Sequence, residues 1–206
     1  MRKVIKKYLS YAILLTMTMC ITGCSKTNDV KSLDTKYMSA CYVVDMNSPE
    51  EVVGLCSNVF VGYVEQMTDT YYDNHFPYTR YNVKVIKNIK GDLPLDTTVH
   101  VNKEGGISED SSCYVLYEND FLPDEGKYYV FNVRERKEDS SYTASGINTA
   151  ILLNDIDMQN NQSDQKISDE NVITSDDKKL SNLDNSAIYQ KYVEAYKNQI
   201  PYDSKK

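Results

Sequence analysis

Two β-type runs on either side of a polar stretch do most to limit what this chain can fold into. Residues 58–65 (NVFVGYVE) are apolar on both faces. A continuous β-branched and aromatic run of that length predicts a strand covered from both sides. Residues 78–89 (YTRYNVKVIKNI) alternate instead, with Tyr81, Val83 and Val85 on one face and Asn82 and Lys84 on the other. That is the pattern of a strand with one wet face. The alternation slips at Ile86, which predicts a β-bulge there, and Lys90-Gly91-Asp92 ends the run. Residues 67–77 between them are polar and turn-rich and predict a long loop.

The remaining elements are shorter. Residues 97–103 (TTVHVNK) predict a strand with Val99 and Val101 inward, followed by a Gly105-Gly106 turn. Residues 113–117 (CYVLY) and the KYYVFNVRER run after Gly126 predict two more strands, and residues 141–153 one or two short ones around Gly146. Residues 41–45 (CYVVD) predict another. Ser48-Pro49-Glu50-Glu51 has a cap, a first-turn proline and an acid three residues after the cap, which predicts a short helix carrying Val52, Val53, Leu55 and Cys56. The best helix covers residues 187–200, with Ile188, Tyr189, Tyr192, Val193, Ala195, Tyr196 and Ile200 forming a broad apolar face that Pro201 ends. A face that wide docks on its own domain or on a partner; its own domain is the simpler solution. Residues 157–184 are polar, lack periodicity and predict a linker.

The N-terminus has a different physics. Arg2, Lys3, Lys6 and Lys7 precede an apolar run over residues 11–21 that is too short to span a bilayer and suits a signal-peptide core. It ends at Ile21-Thr22-Gly23-Cys24, which resembles the lipobox of bacterial lipoproteins. The resemblance implies cleavage after Gly23, diacylglycerol on the Cys24 sulfur, anchoring in the cell membrane, and an extracytoplasmic location for everything beyond. Several acyl chains hold a protein on a membrane far longer than one. The expected organisation is a leader over 1–23, lipidated Cys24 with a polar spacer over 24–40, a barrel domain over 41–156, the linker over 157–184 and a helix over 185–200.

The strand series Val59-Phe60-Val61-Gly62-Tyr63-Val64, then Tyr78-Thr79-Arg80-Tyr81-Asn82-Val83-Lys84-Val85, then Ile89-Lys90-Gly91, Val99-His100-Val101 and Gly105-Gly106 resembles surface lipoproteins of Gram-positive bacteria. It is also similar to the OB-type barrel of netrin-like domains and tissue inhibitors of metalloproteinases. The fold expected is mainly β: a small OB-like barrel of five or six strands with a short N-terminal helix and a C-terminal amphipathic helix. The inhibitors use a free N-terminal Cys amine on the enzyme's zinc. Here the corresponding Cys is expected to be lipidated and lies far upstream of the barrel, so that mechanism does not carry over.

Charge narrows the partners. The chain carries −7 formally, and the part beyond the four-cation leader is four units more negative. Such a body lacks the basic footprint of a nucleic-acid binder and is repelled by anionic lipid. Beyond Cys24 the cysteines are Cys41, Cys56 and Cys113, which leaves open one disulfide plus a thiol or three buried reduced thiols; the second is favoured in a chain long enough to build a core.

No constellation for catalysis or cofactor binding stands out. Asp73 and His75 are two metal-type ligands in the polar stretch, and Asp155 and Asp157 two carboxylates of a kind calcium uses, but neither set is complete. His100 and Cys113 are the one base and nucleophile pair that can be named. No P-loop, dinucleotide fingerprint, HExxH or GxSxG occurs. The chain holds eighteen tyrosines and no tryptophan. Tyr71, Tyr72, Phe76 and Tyr78 gather around residues 67–77, and exposed aromatics with polar tips suit recognition. The expected role is a binding module for a protein, peptide or glycan at the cell surface. The alternative is an immunity or sequestering lipoprotein against a secreted cationic peptide. An enzyme would need chemistry that the residues do not display.

Overall fold

The computed structural model describes residues 33–153 and 183–203. The leader, Cys24, and nearly all of the expected linker lie outside the described residues, as do Asp155 and Asp157.

The chain is mainly β, with nine strands and two helices among the described residues. The strands are β1 (Asp34–Met38), β2 (Asn58–Asp73), β3 (Phe76–Lys90), β4 (Thr98–Glu104), β5 (Gly106–Ile107), β6 (Cys113–Tyr117), β7 (Tyr128–Arg136), β8 (Ser141–Ala144) and β9 (Ala150–Leu152). The helices are α1 (Pro49–Leu55) and α2 (Ala187–Lys197). Five strands close into a ring in the order β2-β3-β4-β8-β7 and back to β2, with β9 added along β7. Every pair in the ring is antiparallel except β4 with β8, which is parallel. Closure leaves the ring without an unpaired edge of the kind an open sheet exposes. A separate small sheet has β6 at its centre, parallel to β1 and antiparallel to β5.

The two-sided apolar run of β2 has a structural reason. Phe60 and Val64 face the barrel interior with Tyr81, Val83, Val85, Val101, Tyr129 and Phe131. Val59 and Val61 face outward, into a second core made with α1 and α2. Gly62 falls on the interior face, where a Cβ would run into Val83 and the stacked rings of Phe60 and Phe131. The expected bulge is present: Val61 pairs with Lys87 and Gly62 with Val85, so the ladder skips Ile86, and it skips Ile89 in the same way. Both isoleucines pack against the helix-side core.

Both helices are capped by a serine, of which Ser48 is the one the sequence predicts. Ser48 accepts from the Glu51 amide at 3.3 Å, and Ser186 accepts from the Tyr189 amide at 3.1 Å. The α2 face that is buried is narrower than expected, comprising Tyr189, Tyr192 and Ala195. Tyr196 and Ile200 are exposed; the helix stops at Lys197 and the chain then turns across α1. There the Ile200 amide donates to the Glu50 carbonyl at 3.0 Å. Gly54 permits that crossing, since a Cβ at this position would clash with the Ile200 backbone.

Four expectations need correction. Residues 67–77 are not a loop: β2 and β3 continue as a two-stranded ribbon to a two-residue turn at Asn74-His75, whose φ values of 47° and 66° mark a hairpin of the I′ kind. The ribbon reads as polar because it outruns the barrel. Residues 41–45 form no strand; Tyr42 and Val44 instead lie half-buried against the helix-side core. Within the stretch assigned to the spacer, residues 34–38 form β1, whose five residues are all exposed. Such a strand has no apolar face to announce it. Among the described residues Cys41, Cys56 and Cys113 are free thiols, but only Cys56 is buried; Cys41 is exposed and Cys113 intermediate. Burial pushes the Cys56 thiol from 9.0 up to about 12.

One feature of the interior has no counterpart in the sequence pattern. Lys103 continues the inward face of β4 and is ion-paired with Asp120, with the two side chains 1% and 2% exposed. Its ammonium also donates to the Gly146 carbonyl at 3.0 Å. Burial pulls the Lys103 pKa down, against the Asp120 carboxylate that supports the charge. Removing one partner strands a buried charge, so Lys103→Met is expected to cost about 3–5 kcal/mol, whereas Lys103→Met with Asp120→Leu should recover most of it. Urea unfolding of the two single variants and the double variant measures this. Additive losses would show that the pair does not act as a unit.

Candidate functional site

The hairpin sorts the four aromatic residues onto two faces. In its ladder Asp69 pairs with Arg80, Tyr71 with Tyr78 and Asp73 with Phe76 on one side, while Thr70 pairs with Thr79 and Tyr72 with Pro77 on the other. Side chains alternate along each strand, so Tyr71, Phe76 and Tyr78 share a face and Tyr72 does not. Tyr71 and Tyr78 stack at 5.2 Å, Phe76 meets Tyr78 edge-on at 5.8 Å, and Tyr117 from β6 stacks on Phe76 at 5.1 Å. The Arg80 guanidinium lies 5.0 Å from the centre of the Tyr71 ring, and Arg136 donates to the Tyr71 hydroxyl at 3.0 Å. Arg80 is held in turn by Asp69 at 3.2 Å and by Asn102 at 3.3 Å.

The result is a continuous strip of aromatic faces and guanidinium groups, half-exposed and cross-braced. Stacked rings with few rotatable bonds lose little entropy when they bind, and the arginines add directional donors. Tyr71 ionises above its usual range because of burial, although Arg136 and Arg80 oppose the shift. Burial, reinforced by Glu104, pushes Tyr78 up to about 12. Both hydroxyls are therefore donors at neutral pH.

Tyr72 has a different task. Its hydroxyl donates to the Ile107 carbonyl at 3.0 Å and fastens β5 over the opposite face of the hairpin. Of the remaining candidates, His75 sits at the turn with its side chain 88% exposed and Nδ1 3.0 Å from Glu109. Asp73 accepts from the Asn74 side chain. His100 is on the outer face of β4 with Nδ1 3.0 Å from Asn82 Oδ1, while Cys113 belongs to the other sheet, paired with Asp34. The aromatic strip gains Tyr117, Arg80 and Arg136, which sequence reasoning did not single out. Arg80 could have been found, being two residues from Tyr78 on an alternating strand; Tyr117 and Arg136 arrive from distant strands.

No family model matches this chain, and no curated protein sequence matches it. Among the described residues no helix is long and apolar enough to cross a membrane.

The protected phenols and thiol make an alkaline test. Unfolded tyrosines and cysteine lose protons near 10.0 and 9.0, but in the fold Tyr78, Tyr192 and Cys56 keep theirs up to about 12. Their pKa values are raised, so the stability they supply is complete below the unfolded values and is lost as pH rises through the folded ones. The urea midpoint should be flat to about pH 9 and then fall towards about pH 12. An unchanged midpoint at about pH 11 would show that these groups titrate freely in the fold.

Proposed function

We propose that this chain is a lipid-anchored extracytoplasmic binding protein, tethered through Cys24 and presenting the strip of Tyr71, Phe76, Tyr78, Tyr117, Arg80 and Arg136 to a protein, peptide or glycan at the cell surface. The observation that carries the reading is the strip itself. Three aromatic residues flanking one turn are brought onto one face, half-exposed, and stiffened by ring stacking and two arginines. Aromatic residues and arginine dominate binding hot spots. The anchor rests on the lipobox-like Ile21-Thr22-Gly23-Cys24. The ring of five strands, with its single parallel pair, supports the OB-like reading of the barrel, a fold that binds through its strand face and loops.

A second reading is a sequestering or immunity lipoprotein whose acidic body captures a cationic peptide. The charge of −7 over the whole chain, more negative beyond the leader, favours it. A deletion strain with unchanged sensitivity to cationic peptides would remove that reading.

Crosslinking and pull-down from the envelope, using the full chain in detergent, tests the main proposal. Tyr71→Ala and Phe76→Ala should each weaken capture of the partner by roughly 30-fold, the loss typical of a hot-spot aromatic. Tyr72→Ala should not, because that ring is on the other face. Thermal unfolding of each variant separates a lost contact from a lost hairpin, and unchanged capture by folded Phe76→Ala would sink the proposal. The anchor is checked separately: Cys24→Ala should abolish metabolic labelling by palmitate and move the chain from the detergent phase to the aqueous phase.

A further inference from the structure

On the opposite face of the hairpin lies a half-open cavity of about 310 Å³. That is the lower end of the size range of small-ligand pockets. Its apolar walls are Met67 from β2, Ile107 from β5, and Leu122 and Pro123 from the segment between β6 and β7. Two carboxylates, Asp124 and Glu125, also line it, with the hydroxyl-bearing Tyr81, Tyr114, Thr70 and Thr79, and no lysine or arginine does.

Tyr81 is the unusual member. It is 1% exposed, and its hydroxyl has no hydrogen-bond partner. A buried hydroxyl without a partner costs stability that phenylalanine would not incur, because phenylalanine fills the same space with no polar atom to desolvate. The groups whose charge acts on this hydroxyl include Asp124, Glu125 and Tyr114, all of which line the cavity. Tyr81 and the two carboxylates belong to one cavity lining. One carboxylate oxygen of Glu125 accepts from the Met67 amide at 2.7 Å, and one of Asp124 pairs with Lys127 at 2.6 Å. Each carboxylate keeps a second oxygen. Burial, with these acids nearby, pushes the Tyr81 phenol well above its ordinary range, so the hydroxyl remains neutral and able to accept as well as donate.

We propose that this cavity is a binding site for a primary ammonium group on a short apolar stem. The stem lies along Met67, Ile107, Leu122 and Pro123. The ammonium, with three N–H donors, meets the Tyr81 hydroxyl oxygen and the free oxygens of Asp124 and Glu125. Such a group is supplied either by a small free amine or by a lysyl side chain of a peptide. The site is on the other face of the hairpin from the aromatic strip, so either proposal can fail without the other.

The test is a titration of the full chain in detergent, observed through the methyl resonances of Met67, Ile107 and Leu122. The probes are cadaverine and N-acetyl-lysine methylamide, with pentanediol and N-acetyl-norleucine methylamide as their neutral counterparts. Saturable shifts with at least one amine and none with the neutral compounds are expected. Binding of the lysyl probe assigns the group to a peptide, and binding of cadaverine alone assigns it to a free amine. Tyr81→Phe should keep or raise the melting temperature and weaken amine binding about fivefold, and Asp124→Asn with Glu125→Gln should weaken it about tenfold or more. Equal shifts from the neutral compounds, no shifts from either amine, full affinity in Tyr81→Phe, or a marked loss of stability in that variant would each overturn the proposal.

Discussion

The buried pair of Lys103 and Asp120 is the interaction on which the functional end of this molecule depends. Lys103 sits on the inward face of β4, where the pattern of the strand calls for an apolar residue, and Asp120 comes from the segment that joins β6 to β7. An ammonium and a carboxylate withdrawn from water are tolerable only when each has the other. The pair therefore pins an irregular segment across one end of the barrel, with the Gly146 carbonyl as a third point. Backbone bonds from Glu118 to Met38 and from Gly126 to Val64 hold the same segment at its two ends. Leu122, Pro123, Asp124 and Glu125 occupy their places in the cavity wall as a consequence, and Tyr117 is delivered to Phe76 just before the segment begins.

A second constraint is the double duty of β2. Its first half separates two cores, the barrel interior and the layer beneath α1 and α2, and so is apolar throughout. Its second half leaves both cores and becomes one arm of the hairpin, covered by side chains from the other arm, β5, β6, the end of β7 and the segment between β6 and β7. The function proposed for the hairpin follows from this change of surroundings. Two faces with different neighbours are available on one rigid ribbon: one covered by β5, which leaves a cavity, and the other carrying stacked rings and arginines.

Much of the barrel was legible because its strands alternate or are continuously apolar. The bulge at Ile86 showed as a slip in that alternation. The hairpin was not legible as strand, because hydrophobic periodicity reports burial and the ribbon has little: residues 65–69 and 72–75 are exposed. β1 escaped for the same reason. The aromatic site was partly legible. Tyr71, Phe76 and Tyr78 stood out by type and proximity, but Tyr72, which adjoins Tyr71 in the chain, faces away once the ribbon pairs. A loop would have left all four free to gather; a strand separates neighbours by its pleat.

The sequence by itself determined the mainly β character, the two helices, the two-sided burial of β2 and the acidity of the body. These are local or additive properties, set by side-chain type at a spacing of two or by simple sums. Only the tertiary structure decided that the ring closes through a parallel pairing of β4 with β8, that Lys103 finds Asp120, that Tyr117 and Arg136 join the hairpin's aromatic face, and that the Tyr81 hydroxyl is left alone beside a cavity. Each of these joins residues far apart in the chain. No local spacing encodes such a meeting; it follows from the simultaneous closure of all the strands.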